Sequence, residues 1–152
     1  MSERSVVHST FVIERSLKAT PKRVFDAFAD PTKKAKWFHG PADWDLDERT
    51  MDFRVGGIET SVGGPKGGWV SAFTATYQDI IPNERIVYTY EMKVDGKRIS
   101  VSLATLEFAP EGSGTRFKLT EHGAYLDGSD DGAGREHGTR ELIKQLEAAL
   151  AE

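Results

Sequence analysis

The chain has 152 residues, enough for one domain with a sizeable core, and its lack of cysteine excludes disulfides, thiolate nucleophiles and Cys-ligated zinc. Its formal charge is −4 and its basic residues are dispersed rather than striped, which argues against nucleic acid as a partner. Residues 1–10 hold Glu3 and Arg4 but no apolar signal-type run, and no stretch reaches the roughly 18–20 apolar residues of a membrane span, so a cytoplasmic protein with no membrane partner is expected.

A single domain is expected over 1–152, with a loose polar start at 1–7. A first strand is predicted over 8–17, where Phe11, Ile13 and Leu17 share one parity. Thr20-Pro21 is a helix start, since Thr can cap and Pro suits the first helical position, and Val24, Phe25 and Phe28 follow at helical spacing. Pro31 opens a second short helix through Lys36. Six further strands are predicted over 43–47, 52–59, 69–80, 84–94, 98–108 and 115–122. Their turns are the Gly-rich loop 63–68, the hairpin signal Asp95-Gly96 and the cluster 110–114. Ile86, Tyr88, Tyr90, Met92 and Val94 share one parity, as on a half-buried strand with an aromatic inner face. In 98–108 the apolar parity switches from Ile99, Val101 and Leu103 to Leu106 and Phe108, which predicts a bulge near Ala104-Thr105. A last helix over 133–151 presents Leu142, Ile143, Leu146 and Leu150 on one face, with Ala149 beside them. Segregated strands and helices indicate an α+β fold in which this helix, the only element long enough, covers one face of an antiparallel sheet.

The order of these elements resembles a known family. Ile13-Glu14-Arg15 precedes Thr20-Pro21-Lys22-Arg23-Val24-Phe25-Asp26-Ala27-Phe28. Pro31, Lys36-Trp37-Phe38 and Asp52-Phe53-Arg54-Val55-Gly56-Gly57 follow. Ile80-Ile81-Pro82-Asn83-Glu84-Arg85-Ile86-Val87-Tyr88-Thr89-Tyr90 and Gly114-Thr115-Arg116-Phe117-Lys118-Leu119-Thr120-Glu121 complete the pattern. Over roughly 10–151 the chain resembles the START-like, or SRPBCC, helix-grip superfamily. Within it, the chain is similar to small bacterial members of the activator of heat-shock-protein-90 ATPase homologue family. The resemblance implies a curved antiparallel sheet with two short helices after the first strand, a long C-terminal helix across its concave face, and a cavity between them. It leaves the ligand open, because the superfamily includes lipid carriers, hormone receptors, polyketide cyclases and chaperone regulators. Near the start of the last helix such proteins often carry Gly-Trp, where this chain has Gly138-Thr139 and so lacks the large ring.

Trp37, Phe38, Trp44, Trp69, Phe73, Tyr77, Tyr88, Tyr90, Phe117 and Tyr125, with Met92 and Leu142, are candidates for an apolar cavity wall. Each taken alone reads first as core packing and second as cavity wall. Tyr88 and Tyr90 would place two hydroxyls together as a polar anchor. His122 follows Glu121 and His137 follows Glu136; if the last helix begins over the last strand's end, the two imidazoles approach each other at the cavity mouth, where one could act as a general base. For each of the two, the reading placed first is a solvent-exposed or structurally bonded histidine, and His8 and His39 are expected at the surface. Gly138 reads first as a close backbone approach to the sheet, and second as room for a ligand. The loop 127–132 superficially resembles a calcium loop, but counting from Asp127 its twelfth position is Gly138, so a capped loop is expected. Asp52 and Arg54 are expected to pair structurally. No phosphate-loop, dinucleotide or nucleophile-elbow pattern occurs, so no catalytic residue, metal or cofactor is assigned.

The leading expectation is a non-enzymatic protein holding a hydrophobic or aromatic small molecule. One alternative is a small cyclase- or hydrolase-like enzyme using His122 or His137 with Glu121 or a tyrosine hydroxyl. The other is a chaperone co-regulator, implied by the resemblance alone; the chain has no room for the additional N-terminal domain of eukaryotic activators, so ATPase activation is not expected. A homodimer through sheet edges or the Gly-rich hairpin is compatible with the sequence.

Overall fold

The computed structural model describes residues 4–152. Strand β1 (Val6–Leu17) runs into two short helices, α1 (Pro21–Ala29) and α2 (Pro31–Ala35). Thr20 Oγ1 accepts from Arg23 N at 3.3 Å, and Asp30 Oδ1 accepts from Thr32 N at 2.9 Å and Lys33 N at 3.3 Å; each cap is followed by Pro at the first helical position. Six strands follow: β2 (Trp44–Met51), β3 (Ile58–Pro65), β4 (Ser71–Ile81), β5 (Arg85–Val94), β6 (Lys97–Glu111) and β7 (Gly114–Leu126). Helix α3 (Gly132–Leu150) closes the chain, with Asp131 Oδ1 capping it through Gly134 N at 2.7 Å.

All seven strands form one antiparallel sheet in the order β1-β7-β6-β5-β4-β3-β2. Strands β2 to β7 are a run of hairpins, and β1 joins the end of that run by pairing with β7. The segment carrying α1 and α2 therefore crosses from one edge of the sheet to the other. The expected α+β helix-grip architecture is the one observed. Asp95 and Gly96 both have positive φ (50° and 80°), the conformation that an Asp-Gly hairpin turn demands.

Three local expectations change. The segment 52–57 is a turn, and β3 starts only at Ile58 and takes in part of the expected Gly-rich loop. There Arg54 Nε donates to Asp52 Oδ2 at 2.8 Å, the expected structural pair. Trp69 lies before β4 rather than on it. The ladders on both sides of β6 continue unbroken through Ala104 and Thr105. Register shifts instead fall between Tyr77 and Asp79 and between Met92 and Lys93. The parity switch has another cause: Ser100, Ser102, Ala104, Leu106 and Phe108 all face inward, while Val101 and Leu103 remain exposed on the outer face.

The buried interior is densest at one end of the sheet. Phe25, Phe28, Phe108 and Phe117 pack ring against ring with centroids 5.6–5.7 Å apart, and Ile13, Ile86, Leu106, Ile143 and Leu146 surround them. Only the C-terminal half of α3 joins this core, through Ile143 and Leu146. Its N-terminal half stands over a different part of the sheet, and there the interior opens.

Candidate functional site: a cavity between the sheet and the last helix

The opening is a cavity of about 700 Å³ between the N-terminal half of α3, the inner face of β3–β5 and the segment 38–44. Its apolar wall includes Phe38, Trp44, Phe73, Tyr88, Met92 and Leu142. Small residues make the space on the facing side of α3: Gly134, Gly138 and Thr139. A Cβ added at Gly138 would meet nothing within 4 Å. The close backbone approach expected at Gly138 occurs instead at Gly132, where an added Cβ would lie 2.0 Å from Ser9 Oγ on β1.

The segment 37–40 forms the roof and is held from three sides. Gln145 Nε2 on α3 donates to Trp37 O at 2.5 Å, and Arg49 Nη1 on β2 donates to Phe38 O. Lys34 Nζ lies 4.5 Å from the centre of the Phe38 ring and donates to Glu59 Oε1 at 2.7 Å. Glu59 also accepts from Tyr77 Oη. Burial pulls the Lys34 ammonium below its usual pKa, with the Glu59 charge opposing; burial and Glu59 together push Tyr77 well above the usual phenol range.

One end of the cavity is polar. Tyr90 Oη donates to Glu121 Oε2 at 2.8 Å and accepts from Arg135 Nη1 at 3.1 Å. Arg135 Nη2 donates to Ser100 Oγ and to Asp130 Oδ2, both at 2.8 Å, and the guanidinium lies over the rings of Tyr90 and Tyr125 at 5.7 and 5.3 Å. Glu121 is only 2% exposed, and burial pushes its pKa up to about 7 against the opposing pull of the Tyr90 hydrogen bond and the Arg135 charge. Burial raises Tyr88 and Tyr90 as well, so both phenols keep their protons at neutral pH. The arrangement joins an apolar chamber to a short polar network containing a carboxyl poised between charged and neutral.

Residues 18–151 match the model of the family described as activator of Hsp90 ATPase homolog 1-like protein. The chain belongs to this family. Two rhizobial structures are similar over nearly its whole length. One, an uncharacterised protein of Rhizobium leguminosarum, is 42% identical with a TM-score of 0.93, covering 99% of each chain. The other, from Rhizobium loti, is 46% identical with a TM-score of 0.88, covering 95% of this chain and 99% of its own. An AHSA1-like protein from Aeromonas hydrophila, 22% identical with a TM-score of 0.72 over 94% of this chain and 92% of its own, shares the fold. No curated protein matches the chain in sequence.

For this family member, Phe38, Trp44, Phe73, Tyr88, Tyr90, Met92, Gly138 and Leu142 all line the cavity. Trp37 does not: it is buried beside Phe28, and its Nε1 donates to Ala27 O at 2.9 Å. Phe117 is likewise core. Tyr77 is occupied by Glu59, and Tyr125 is buried beneath Arg135. Trp69 is 45% exposed and touches the cavity only through Trp44, ring to ring at 5.2 Å.

The two imidazoles do not approach each other. His122 lies mid-strand on the outer face, with Nδ1 2.9 Å from Thr10 Oγ1, while His137 is exposed on α3 on the other side of the sheet. Strand alternation separates them: Glu121 points inward, so His122 must point out. His8 is exposed, and His39 is exposed at the cavity rim. The loop 127–131 is a capping device: Asp127 binds Ser5 N and Arg4, Asp130 binds Arg135, and Asp131 caps α3. No cluster of three or more metal-type ligands occurs among the described residues, and no helix there is long and apolar enough to cross a membrane.

Arg135, Asp130 and Ser100 went unassigned in the sequence, and Glu121 was considered only as a partner for histidine. Glu121 could have been found: it shares its parity with Phe117 and Leu119, which places a carboxylate on an apolar inner face.

Proposed function

We propose that this protein is a non-enzymatic binding domain that holds a hydrophobic or aromatic small molecule between the sheet and α3. The observation that carries the reading is the cavity itself: about 700 Å³, walled by Phe38, Phe73, Tyr88, Met92 and Leu142, with the bonded group of Tyr90, Glu121 and Arg135 at one end. That volume and division of surface are those of small-molecule sites. Neither His122 nor His137 lines the cavity, which counts against a cyclase- or hydrolase-like reading built on either imidazole. The family name supports a chaperone-contact reading, but the chamber ranks ligand binding above it.

Thermal denaturation with a panel of naphthalene-sized aromatics tests the proposal. A binder raises the melting temperature progressively with ligand concentration, its stabilisation growing as RT times the logarithm of one plus the ratio of free ligand to Kd, and Gly138→Trp, which projects a ring into open space, abolishes the shift while the protein stays folded. A panel that shifts neither protein sinks the reading.

A further inference from the structure

We propose that Glu121, Tyr90 and Arg135 form a head-group subsite selecting a ligand whose buried end is an oxygen acceptor, a carbonyl or a carboxylate, over one ending in an ammonium or a hydrocarbon. This rests on the cavity being a small-molecule site and names what its polar end recognises.

The donor count carries the argument. A guanidinium has five N–H groups in a planar fork. Both hydrogens of Arg135 Nη2 are engaged by Ser100 and Asp130, and one of Nη1 by Tyr90. Nε–H and the second Nη1–H remain, on a side chain that lines the cavity. Tyr90 Oη is committed twice, so it orients its neighbours rather than the ligand. Glu121 also lines the cavity and uses Oε2 for Tyr90; Oε1 has no hydrogen-bond partner among the described residues. A carboxyl so deeply buried keeps its proton close to neutrality and then offers an O–H.

Two buried hydroxyls on the neighbouring strands β6 and β7 lie outside the cavity lining. Ser102 Oγ and Tyr125 Oη are buried without a hydrogen-bond partner among the described residues, an uncommon state for interior hydroxyls. They lie close together, because Ser102 is opposite Gly123 in the β6–β7 ladder and the Tyr125 hydroxyl lies over Gly123, 2.6 Å from where a Cβ would stand. Ser102 is also the register partner of Tyr90.

Charge sets the discrimination. Asp130 offsets Arg135, so the subsite is close to neutral when Glu121 holds its proton. An acceptor oxygen then meets donors from two directions. While Glu121 holds its proton, an ammonium would meet the guanidinium and find no carboxylate in the subsite outside the Arg135–Asp130 pair, and a hydrocarbon would leave the free N–H groups unpaired.

Four probes of matched size test this: 2-acetonaphthone, 2-naphthoate, 2-naphthylmethylammonium and 2-ethylnaphthalene, titrated against the intact protein by calorimetry at a pH well below the Glu121 pKa of about 7. The expected result is that the ketone or the carboxylate binds at least about tenfold tighter than 2-ethylnaphthalene, the worth of one well-made buried hydrogen bond, with the ammonium weakest. The tighter of the two oxygen probes identifies the head. Glu121→Leu and Arg135→Met should each abolish the preference, read as the ratio of oxygen-probe to 2-ethylnaphthalene affinity within one variant; Arg135→Lys, which keeps the charge but not the fork, should reduce that ratio. Equal binding of all four probes, or preference for the ammonium, overturns the subsite and leaves the cavity reading standing. Failure of all four to bind overturns both.

Discussion

Lys34 on α2 and Glu59 on β3 form an ion pair of 2.7 Å with each side chain only 7% exposed. It joins the helical crossover to the far side of the sheet, and Lys34 supports Phe38 on the cavity roof. Breaking a buried pair strands the remaining charge. Lys34→Met should therefore destabilise the protein by about 3–5 kcal/mol, and adding Glu59→Gln should recover a large part of that loss. Urea denaturation of the single and double variants checks this; equal losses in both would show that the pair is not the cause.

Glu121 should make stability fall as pH rises. Its folded pKa, about 7, exceeds the roughly 4.3 of an unfolded glutamate. Between those values the native state binds more protons than the unfolded state, so this group's contribution is complete below about pH 4.3 and is lost as pH rises through about 7. The loss is on the order of 3 kcal/mol. Glu121→Gln keeps an acceptor for Tyr90 and should flatten this component, so that variant minus wild-type stability rises between pH 5 and 8. An unchanged difference across that window would contradict the assignment.

Gly132 and Gly138 of α3 should respond oppositely to alanine. Gly138 faces open space, so Gly138→Ala should stabilise by up to about 1 kcal/mol through helix propensity. Gly132 abuts Ser9, so Gly132→Ala should cost about 1–3 kcal/mol through overpacking. Ser9→Gly in the same chain should relieve most of that cost. Melting temperatures of the three variants decide the matter.

Leu146 and Leu142 divide the helix into its structural and its cavity-facing parts. Leu146 is fully buried, and Leu146→Ala should cost about 2–5 kcal/mol. Leu142 lines the cavity, so Leu142→Ala should cost less and change probe affinity more. Parallel stability and binding titrations separate the two effects.

Much of the fold was legible because its signals are local. Thr20-Pro21 and Asp30-Pro31 mark helix starts through side-chain caps that need only their own neighbours. Asp95-Gly96 places a hairpin through backbone dihedrals, and the alternation from Ile86 to Val94 names a strand. The aromatic wall followed from the same alternation, which is why Tyr88, Tyr90 and Met92 were found. Trp37, Tyr77 and Tyr125 carry the same aromatic signal yet serve the core or the polar network, because composition cannot tell a ring against a cavity from a ring against another ring.

The sequence by itself determined the order of elements, their caps and turns, and a strand with an aromatic face, since each depends on residues a few positions apart. Only the tertiary structure decided which parity of β6 turns inward. Alternation defines two faces without saying which is buried, and the ladder with β5 and β7 puts Ser100 and Ser102 inside and Val101 and Leu103 outside. Tertiary structure also decided that Gly132 packs while Gly138 leaves space. And it brought Arg135 to Tyr90 across 45 positions of sequence, and Tyr90 to Glu121 across 31. A network of that kind forms only when a helix is laid over a sheet, so its chemistry belongs to the fold rather than to any segment of the chain.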